Sequence, residues 1–287
     1  MIIVTDSGAD LSPEQRQEFK IHEVPLKVTL EGKTYLSGVD LEPDQFYDLI
    51  ENTTELPITS TPSVGEFVDV YQMLAKEDRD ILSIHISTGL SGTYNAALTA
   101  AGMVKDANIT LVDSLNLSAG FGWQVEAAAR AIKAGWSLDR ILKLLEQVRT
   151  TTTALFTLPD LKYLIAGGRI SHLKGLLASL LGIKPIITVS KTDGKYYDCG
   201  KKRSFTKAVD AIPEIILQSI PRGSTMRTQI CHAGNLEGSQ RLVEAMDKVF
   251  KCEWLPPCSI GPALGAHTGR GMIGVMHAAL ADYPKLP

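Results

Sequence analysis

The sequence predicts an α/β protein in two domains, a parallel-sheet α/β domain over residues 1–156 and an α+β domain over residues 157–287. Three observations carry that expectation. Apolar runs of strand length at Ile2-Ile3-Val4, Ile81–Ile86 and Ile109–Val112 alternate with helix-length segments, the rhythm of βα units with parallel strands. After Leu158 that rhythm gives way to a hairpin pattern around Thr192-Asp193-Gly194-Lys195, where Asp-Gly suits a type I′ turn. A chain of 287 residues, 44% hydrophobic and 21% charged, suits one large or two medium globular domains.

Taken in order, the first strand ends at Thr5-Asp6-Ser7-Gly8, and Ser12 reads as a helix cap with Pro13 at the first helical position. Pro25 to Tyr35 alternates as a hairpin, with Leu26, Val28 and Leu30 on one face and Glu31-Gly32 as a weaker turn signal than Asn-Gly. A short helix over about 44–51 is followed by the polar segment 57–63. Ser63 then caps a helix over 64–75, with Glu66 in capping-box position. Thr59, Ser60 and Thr61 are more hydroxyls than a cap requires. The strand over 81–86, a helix to Val104, the strand over 109–112 and an Ala-rich helix over 118–134 supply two further βα units. A helix over about 138–150 and a strand through Ala154-Leu155-Phe156 end the first domain. In the second, Leu173, Leu176, Leu177, Leu180 and Leu181 keep helical spacing. The hairpin of 183–189 and 196–201, a helix over 205–220, a strand over 228–232, a helix over 236–249 and a strand near Trp254 follow.

Composition excludes several classes. A net charge of −3 and the lack of any Lys/Arg block argue against polyanion binding, nucleic acid included. Cys199, Cys231, Cys252 and Cys258 lack metal or redox-motif spacing, and the chain opens on a strand in place of a signal peptide, so reduced thiols in a cytoplasmic protein are expected. The apolar region 173–189 is interrupted by Gly175, Ser179, Gly182, Lys184 and Pro185, so no membrane span is expected.

The chemistry converges on Ser87-Thr88-Gly89-Leu90-Ser91-Gly92-Thr93-Tyr94, a turn from strand to helix. The first amides of a helix lack intrahelical partners and carry partial positive charge, which welcomes a carboxylate or phosphate. Gly89 and Gly92 would let backbone approach such an anion, and Ser91 and Thr93 add hydroxyl donors; the alternative is that Ser91 or Thr93 only caps its own helix. Asp6 and Ser7 end another strand and belong either near that turn or to an Asx turn of their own. Near the C-terminus, five glycines surround His267 and permit an exposed imidazole, structural or functional.

Several stretches together resemble the DegV family of bacterial fatty-acid-binding proteins, the lipid-carrying subunit of fatty acid kinase. They are Thr5-Asp6-Ser7, Thr59-Ser60-Thr61-Pro62-Ser63, Leu90-Ser91-Gly92-Thr93-Tyr94, Val112-Asp113-Ser114, Gly167-Gly168-Arg169-Ile170-Ser171, Ile183-Lys184-Pro185-Ile186 and Gly265-Ala266-His267-Thr268-Gly269, in the family's order. Arg270 departs from the family's expected Pro.

The resemblance implies a long-chain fatty acid in an apolar tunnel between the domains. Thr61, Ser91, the Gly92 amide and His267 would bind its carboxyl group, and Arg203 and Arg169 would serve phosphoryl transfer or kinase docking. The Leu-rich helix, with Ile183, Ile186, Ile187 and Val189, offers either tunnel lining or plain core. The expected function is a carrier that presents the carboxyl group to a separate, dihydroxyacetone-kinase-like catalytic subunit, with no cofactor, metal or catalysis of its own. No phosphate-binding loop or kinase signature occurs in the chain. The alternative is a serine acyl hydrolase or transferase with Ser91 as nucleophile and His267 as base, against which stands Thr93 where a nucleophile elbow has Gly. A small-anion sensor would need the same turn without a tunnel.

Overall fold

The computed structural model describes residues 1–173 and 182–287. β1 (Ile2–Asp6) leads to α1 (Pro13–Glu18), where Ser12 and Gln15 cap each other's backbone as the sequence predicts. β2 (His22–Val24) lies parallel to β1, and β3 (Lys27–Leu30) pairs with β4 (Lys33–Leu36) in the expected hairpin. Glu31 and Gly32 have φ of 50° and 72°, the double left-handed backbone of a type I′ turn, so the weaker Glu-Gly pair suffices. After α2 (Pro43–Glu51), the polar segment contains a strand, β5 (Ile58–Ser60), antiparallel to β3. α3 (Val64–Leu74), β6 (Asp80–His85), α4 (Thr93–Met103), β7 (Asn108–Asp113), α5 (Ser118–Lys133) and α6 (Leu138–Thr151) follow. The parallel sheet has the order β2-β1-β6-β7, and β4-β3-β5 forms a small antiparallel sheet beside it.

Next come β8 (Thr153–Thr157), α7 (Lys162–Ala166), β9 (Lys184–Val189), β10 (Tyr196–Lys202), α8 (Phe205–Asp210), α9 (Ile212–Ile216), β11 (Thr225–His232), α10 (Leu236–Asp247), β12 (Lys251–Trp254), β13 (Cys258–Ser259), α11 (Pro262–Thr268) and β14 (Ile273–Ala279). The larger sheet runs β10-β9-β8-β14-β11-β12, with β13 also on β11. β8, expected to close the first domain at 156, is thus a central strand of the second sheet. It is apolar on both faces: Leu155 joins the cluster under α8 and α10, while Phe156 faces the other way and meets Tyr196 edge-on.

Other departures have local causes. The helix expected over 205–220 is split, because Pro213 in the first turn of α9 has no N–H to continue α8. The Asp193-Gly194 turn is not type I′: only Gly194 has positive φ, at 63°, and the Ser190 hydroxyl accepts from the Thr192 and Asp193 amides, which favours a longer loop. The glycine-rich stretch around His267 contains α11, started by Pro262. Arg270 ties this stretch to α2 through Asp48 at 3.0 Å and Glu51 at 2.7 Å, a tether in place of the stiffness a Pro would give. The Leu-rich helix lies outside the described residues except for Leu173, which is buried.

Buried residues of both halves, among them Ile3, Phe121, Phe156, Tyr196 and Ile260, form one continuous core between the two large sheets. A second cluster lies under α8, α9 and α10, and a third under α3 and α4. The seam between the halves is therefore packed apolar surface wherever a cavity does not interrupt it.

Candidate ligand site

The turn after β6 is built from its own hydroxyls. Ser87 Oγ donates to the Gly194 carbonyl at 2.9 Å, and a Cβ on Gly89 would collide with the Asp193 carbonyl oxygen. Ser87 and Gly89 therefore dock the 191–194 loop; the close approach at Gly89 is to protein backbone and not to a ligand. Ser91 Oγ shares a 2.8 Å hydrogen bond with Thr93 Oγ1 and accepts from Thr93 N at 3.3 Å, so its capping role is real.

Ser91 also borders a cavity of about 60 Å³. Thr59 and Thr61 reach it from β5 and the residue beyond, Arg169 from the short 3-10 turn Arg169–His172, Tyr196 from the start of β10, and His267 from the last turn of α11. Thr61, Ser91, Arg169 and His267, drawn from four distant stretches, thus share one wall. Gly92 stands just behind it, with Thr61 Cγ2 3.7 Å from where a Cβ would be. Arg203 is outside: it is exposed beyond the far end of β10 from Tyr196. Asp6 is outside as well, fully buried and spent on His85 Nδ1 and the amides of Gly8 and Ile86.

His267 is partly buried where the sequence permits exposure. Its Nε2 shares a 2.9 Å hydrogen bond with Thr59 Oγ1, and its Nδ1 has no partner among the described residues and lies against Gly167, where any Cβ would collide with the ring. Burial lowers its pKa to about 4, helped by the nearby Arg169 charge, so the ring is neutral at pH 7. The Thr59 contact is a pairing the sequence did not specify; the surplus of hydroxyls over 59–61 was its one signal. Arg169 is held by Nε donating to the Leu90 carbonyl at 3.1 Å and Nη1 donating to the Gly167 carbonyl at 2.6 Å. Beside apolar Leu26, Ile86, Leu90 and Leu264, the wall contains a guanidinium, hydroxyls and a neutral imidazole, and no carboxylate among the described residues. Hydroxyls and a guanidinium can donate to an anion, and the imidazole can do so through whichever ring nitrogen carries its proton.

Leu264 lines this cavity and also a second of about 20 Å³, whose wall includes Leu117, Phe156, Ile260, Met272 and Met276. None of Ile183, Ile186, Ile187 or Val189 lines either; Ile186 faces the cluster under α8, while Ile187 and Val189 pack in the interdomain core.

A nucleophile and base do not come together here. Ser91 bonds Thr93 and His267 bonds Thr59. A chain Asp6–His85–Ser83–Tyr71 has triad chemistry but every member is buried. Among the described residues no three His, Cys, Asp or Glu side chains cluster to hold a metal, and no helix is long and apolar enough to cross a membrane. All four cysteines are free thiols.

Comparison with known proteins gives the same answer along the whole chain. The family described as "Uncharacterised protein, DegV family" matches residues 1–280. A DegV domain-containing protein of Staphylococcus aureus is 37% identical over 275 residues, covering 96% of this chain and 97% of its own. Among solved structures, DegV of Bacillus subtilis, described as a fatty acid binding protein, superposes with a TM-score of 0.86 at 32% identity, covering 97% of this chain and 98% of its own. A DegV family protein of Thermus thermophilus, described by its fatty acid binding, gives 0.87 at 30% identity, covering 97% and 99%. With matches of this extent in both sequence and fold, the chain belongs to the DegV family.

Proposed function

We propose that this chain binds a long-chain fatty acid, with its carboxyl group at Thr61, Ser91, Arg169 and His267 and its tail past Leu264, and presents that carboxyl group to a separate kinase subunit. One observation carries the binding reading: a cavity whose polar groups are hydroxyls, a guanidinium and an imidazole, with no acid among the described residues of its wall, meets an apolar cavity across a single side chain, Leu264. The fatty acid binding described for the Bacillus subtilis and Thermus thermophilus proteins supports it. The carboxyl end is oriented by hydroxyls and one guanidinium, and the tail supplies most of the affinity, at about 0.8 kcal/mol per buried methylene. Cavities of about 60 and 20 Å³ fall short of the roughly 300–1,000 Å³ of a typical ligand site, so uptake requires the seam to part around Leu264.

Presentation to a kinase rests on the family resemblance. Exposed Arg203 is the residue proposed to meet the partner, and Arg169 the one to steady charge at the carboxyl group. Organic extraction of the purified protein followed by mass spectrometry tests the binding: stoichiometric fatty acid is expected, and its absence together with no rise in melting temperature on adding palmitate or oleate overturns it. With the kinase and ATP added, Arg203→Ala is expected to keep its lipid but lose most acyl-phosphate formation. A fluorophosphonate probe that labels Ser91 stoichiometrically, with loss of labelling in His267→Ala, would establish the hydrolase reading instead.

A further inference from the structure

A second cleft opens on the same seam, at the other end of α11. It has a volume of about 1010 Å³ and takes walls from both halves, with Glu23 of β2, Asp44 and Asp48 of α2, His232 at the end of β11, and Asp10 among its lining residues. Its volume alone makes it a ligand-sized space.

Its charge is the reverse of the first site's. The lining arginines are already engaged: Arg16 with Glu23 at 2.9 Å, Arg130 with Glu126 at 2.8 Å, and Arg270 with Asp48 and Glu51. Asp10, Glu42 and Asp44 have no cation within ion-pair distance among the described residues. Two polar side chains in the wall also have atoms left over. Glu23 has an 8% exposed side chain, and its Oε2 has no partner among the described residues; His232 is 8% exposed, and its Nδ1 has none among them either. Burial lowers the His232 pKa against the opposing pull of Asp44, which leaves a neutral ring with a lone pair to offer. What the cleft has in surplus is acceptors and negative charge. The acids are spread over three elements and no three of them converge as metal ligands among the described residues.

We propose that this cleft is a binding site for a small organic polycation, an alkyl diamine, polyamine or guanidino-amine, whose N–H groups are received by Glu23, His232, Asp44 and Glu42. The site is independent of the fatty acid reading, since none of these residues borders the polar or the apolar cavity.

Binding is linked to pH. Burial raises the pKa of Asp10 to about 7 even though Ser118 Oγ and the Gly261 amide donate to it, with Glu23 and Asp6 adding repulsion and Tyr47 and Cys258 close by. Burial likewise raises Glu23 to about 7, with Arg16 opposing and Asp6 and Glu42 reinforcing. A bound cation favours the ionised acids, so it expels protons and binds more tightly as pH rises through 7.

Isothermal titration of the whole protein with putrescine, spermidine, agmatine and arginine, with sodium acetate and inorganic phosphate as anion controls, tests this at pH 6.5 and pH 8. Saturable binding of at least one amine is expected, severalfold tighter at pH 8 and with proton release, weakened about tenfold in Asp44→Asn and in Glu23→Gln, and unchanged in His267→Ala. Asp44 is exposed, so its variant reports on binding even where Glu23→Gln fails to fold. The proposal is overturned by absence of saturable amine binding at millimolar concentration, by equal affinity in a folded Asp44→Asn variant, by binding of the anions instead, or by binding of a Lys/Arg-rich peptide with none of the small amines.

Discussion

The two ends of α11 open onto opposite chemistry. At its C-terminal end the cavity around His267 has one guanidinium, hydroxyls and a neutral imidazole and no acid among its described lining residues; at its N-terminal end the cleft around Asp10 and Glu23 collects more carboxylates than its arginines pair with. Desolvation acts on both, but in opposite electrical senses. It pushes His267 down to about 4, so that ring is uncharged at pH 7, and it pushes Asp10 and Glu23 up to about 7, so these two acids of the cleft are part-protonated near neutral pH. One packed seam thus holds the proposed anion site and the proposed cation site apart by little more than a short helix. Each of the following experiments tests whether they differ in the way their charges say.

The largest effect is expected where neither charge matters. Leu264→Trp fills the junction between the polar and apolar cavities, and loss of burial for even a few methylenes at about 0.8 kcal/mol each lowers fatty acid affinity by more than 100-fold. Lipid occupancy by mass spectrometry reads this, with the melting temperature of the lipid-free variant as the control for folding. Full occupancy would show that the tail does not pass Leu264, and would undo the contrast between a lipid-bearing end and a polar one.

Acid separates the ends next. A histidine with a depressed folded pKa binds fewer protons folded than unfolded between its two values, so the stability it permits is present above pH 6.5 and is lost as pH falls toward 4. His277, buried with neither ring nitrogen partnered and lowered to about 3, adds a loss of the same sign that continues further down. Urea unfolding of His267→Gln should therefore show a shallower fall between pH 6.5 and 4 than the parent, a difference of order 1–3 kcal/mol at pH 4. A parallel fall in both proteins would mean that His267 is hydrated and not desolvated.

For the carboxylates the sign reverses. Asp10 binds more protons folded than unfolded between about pH 4 and 7, so its contribution to stability falls as pH rises through that window and its buried charge is a full burden above it. Asp10→Asn keeps an acceptor for the Gly261 amide, and Asn tolerates the φ of 48° at this position. Removing the charge is expected to stabilise the protein at pH 8 by about 1 kcal/mol or more and to leave it little changed at pH 4.

Much of this arrangement was legible in the residues. The βα rhythm, the caps at Ser12 and Ser63 and the hairpin expected over 25–35 depend on neighbours in sequence, and all are present, the hairpin pairing 27–30 with 33–36. The four residues Thr61, Ser91, Arg169 and His267 were nameable through the family's motif order, and they do meet in one wall. What escaped depends on partners far along the chain. β5 is three residues long and polar, and is a strand because β3 offers an edge. Strand β8 carries no mark saying which sheet it joins, and the apolar lining from Phe156, Leu264 and Met272 reads as ordinary core until the seam leaves a gap there. Arg203 sits in a motif-like basic segment but at the wrong end of a strand to reach the cavity. The cleft escaped altogether, since Asp10, Glu23 and His232 are unremarkable until folding strips them of water and partners.

The smallest expected effect concerns Thr59 and tests how the anion end keeps its histidine. Ser91→Ala removes a hydroxyl that Thr93 already engages, so its loss from fatty acid affinity should be about 0.5–1.5 kcal/mol. Thr59→Val removes the partner of His267 Nε2 without changing side-chain shape, so that neither ring nitrogen is then bonded by protein. A Thr59 hydroxyl that donates to Nε2 leaves the proton on Nδ1; without that hydroxyl the two tautomers become closer in energy and the ring is less fixed against Gly167. Lipid affinity should fall by no more than in Ser91→Ala, because the tail and Arg169 are untouched. The histidine's own spectrum should change more: nitrogen-15 NMR is expected to show one dominant His267 tautomer in the parent and a mixture in Thr59→Val. An unchanged tautomer would mean that Thr59 accepts from the ring instead of donating to it, placing the lone pair on Nδ1 and making this end a poorer donor to a carboxylate than its composition suggests.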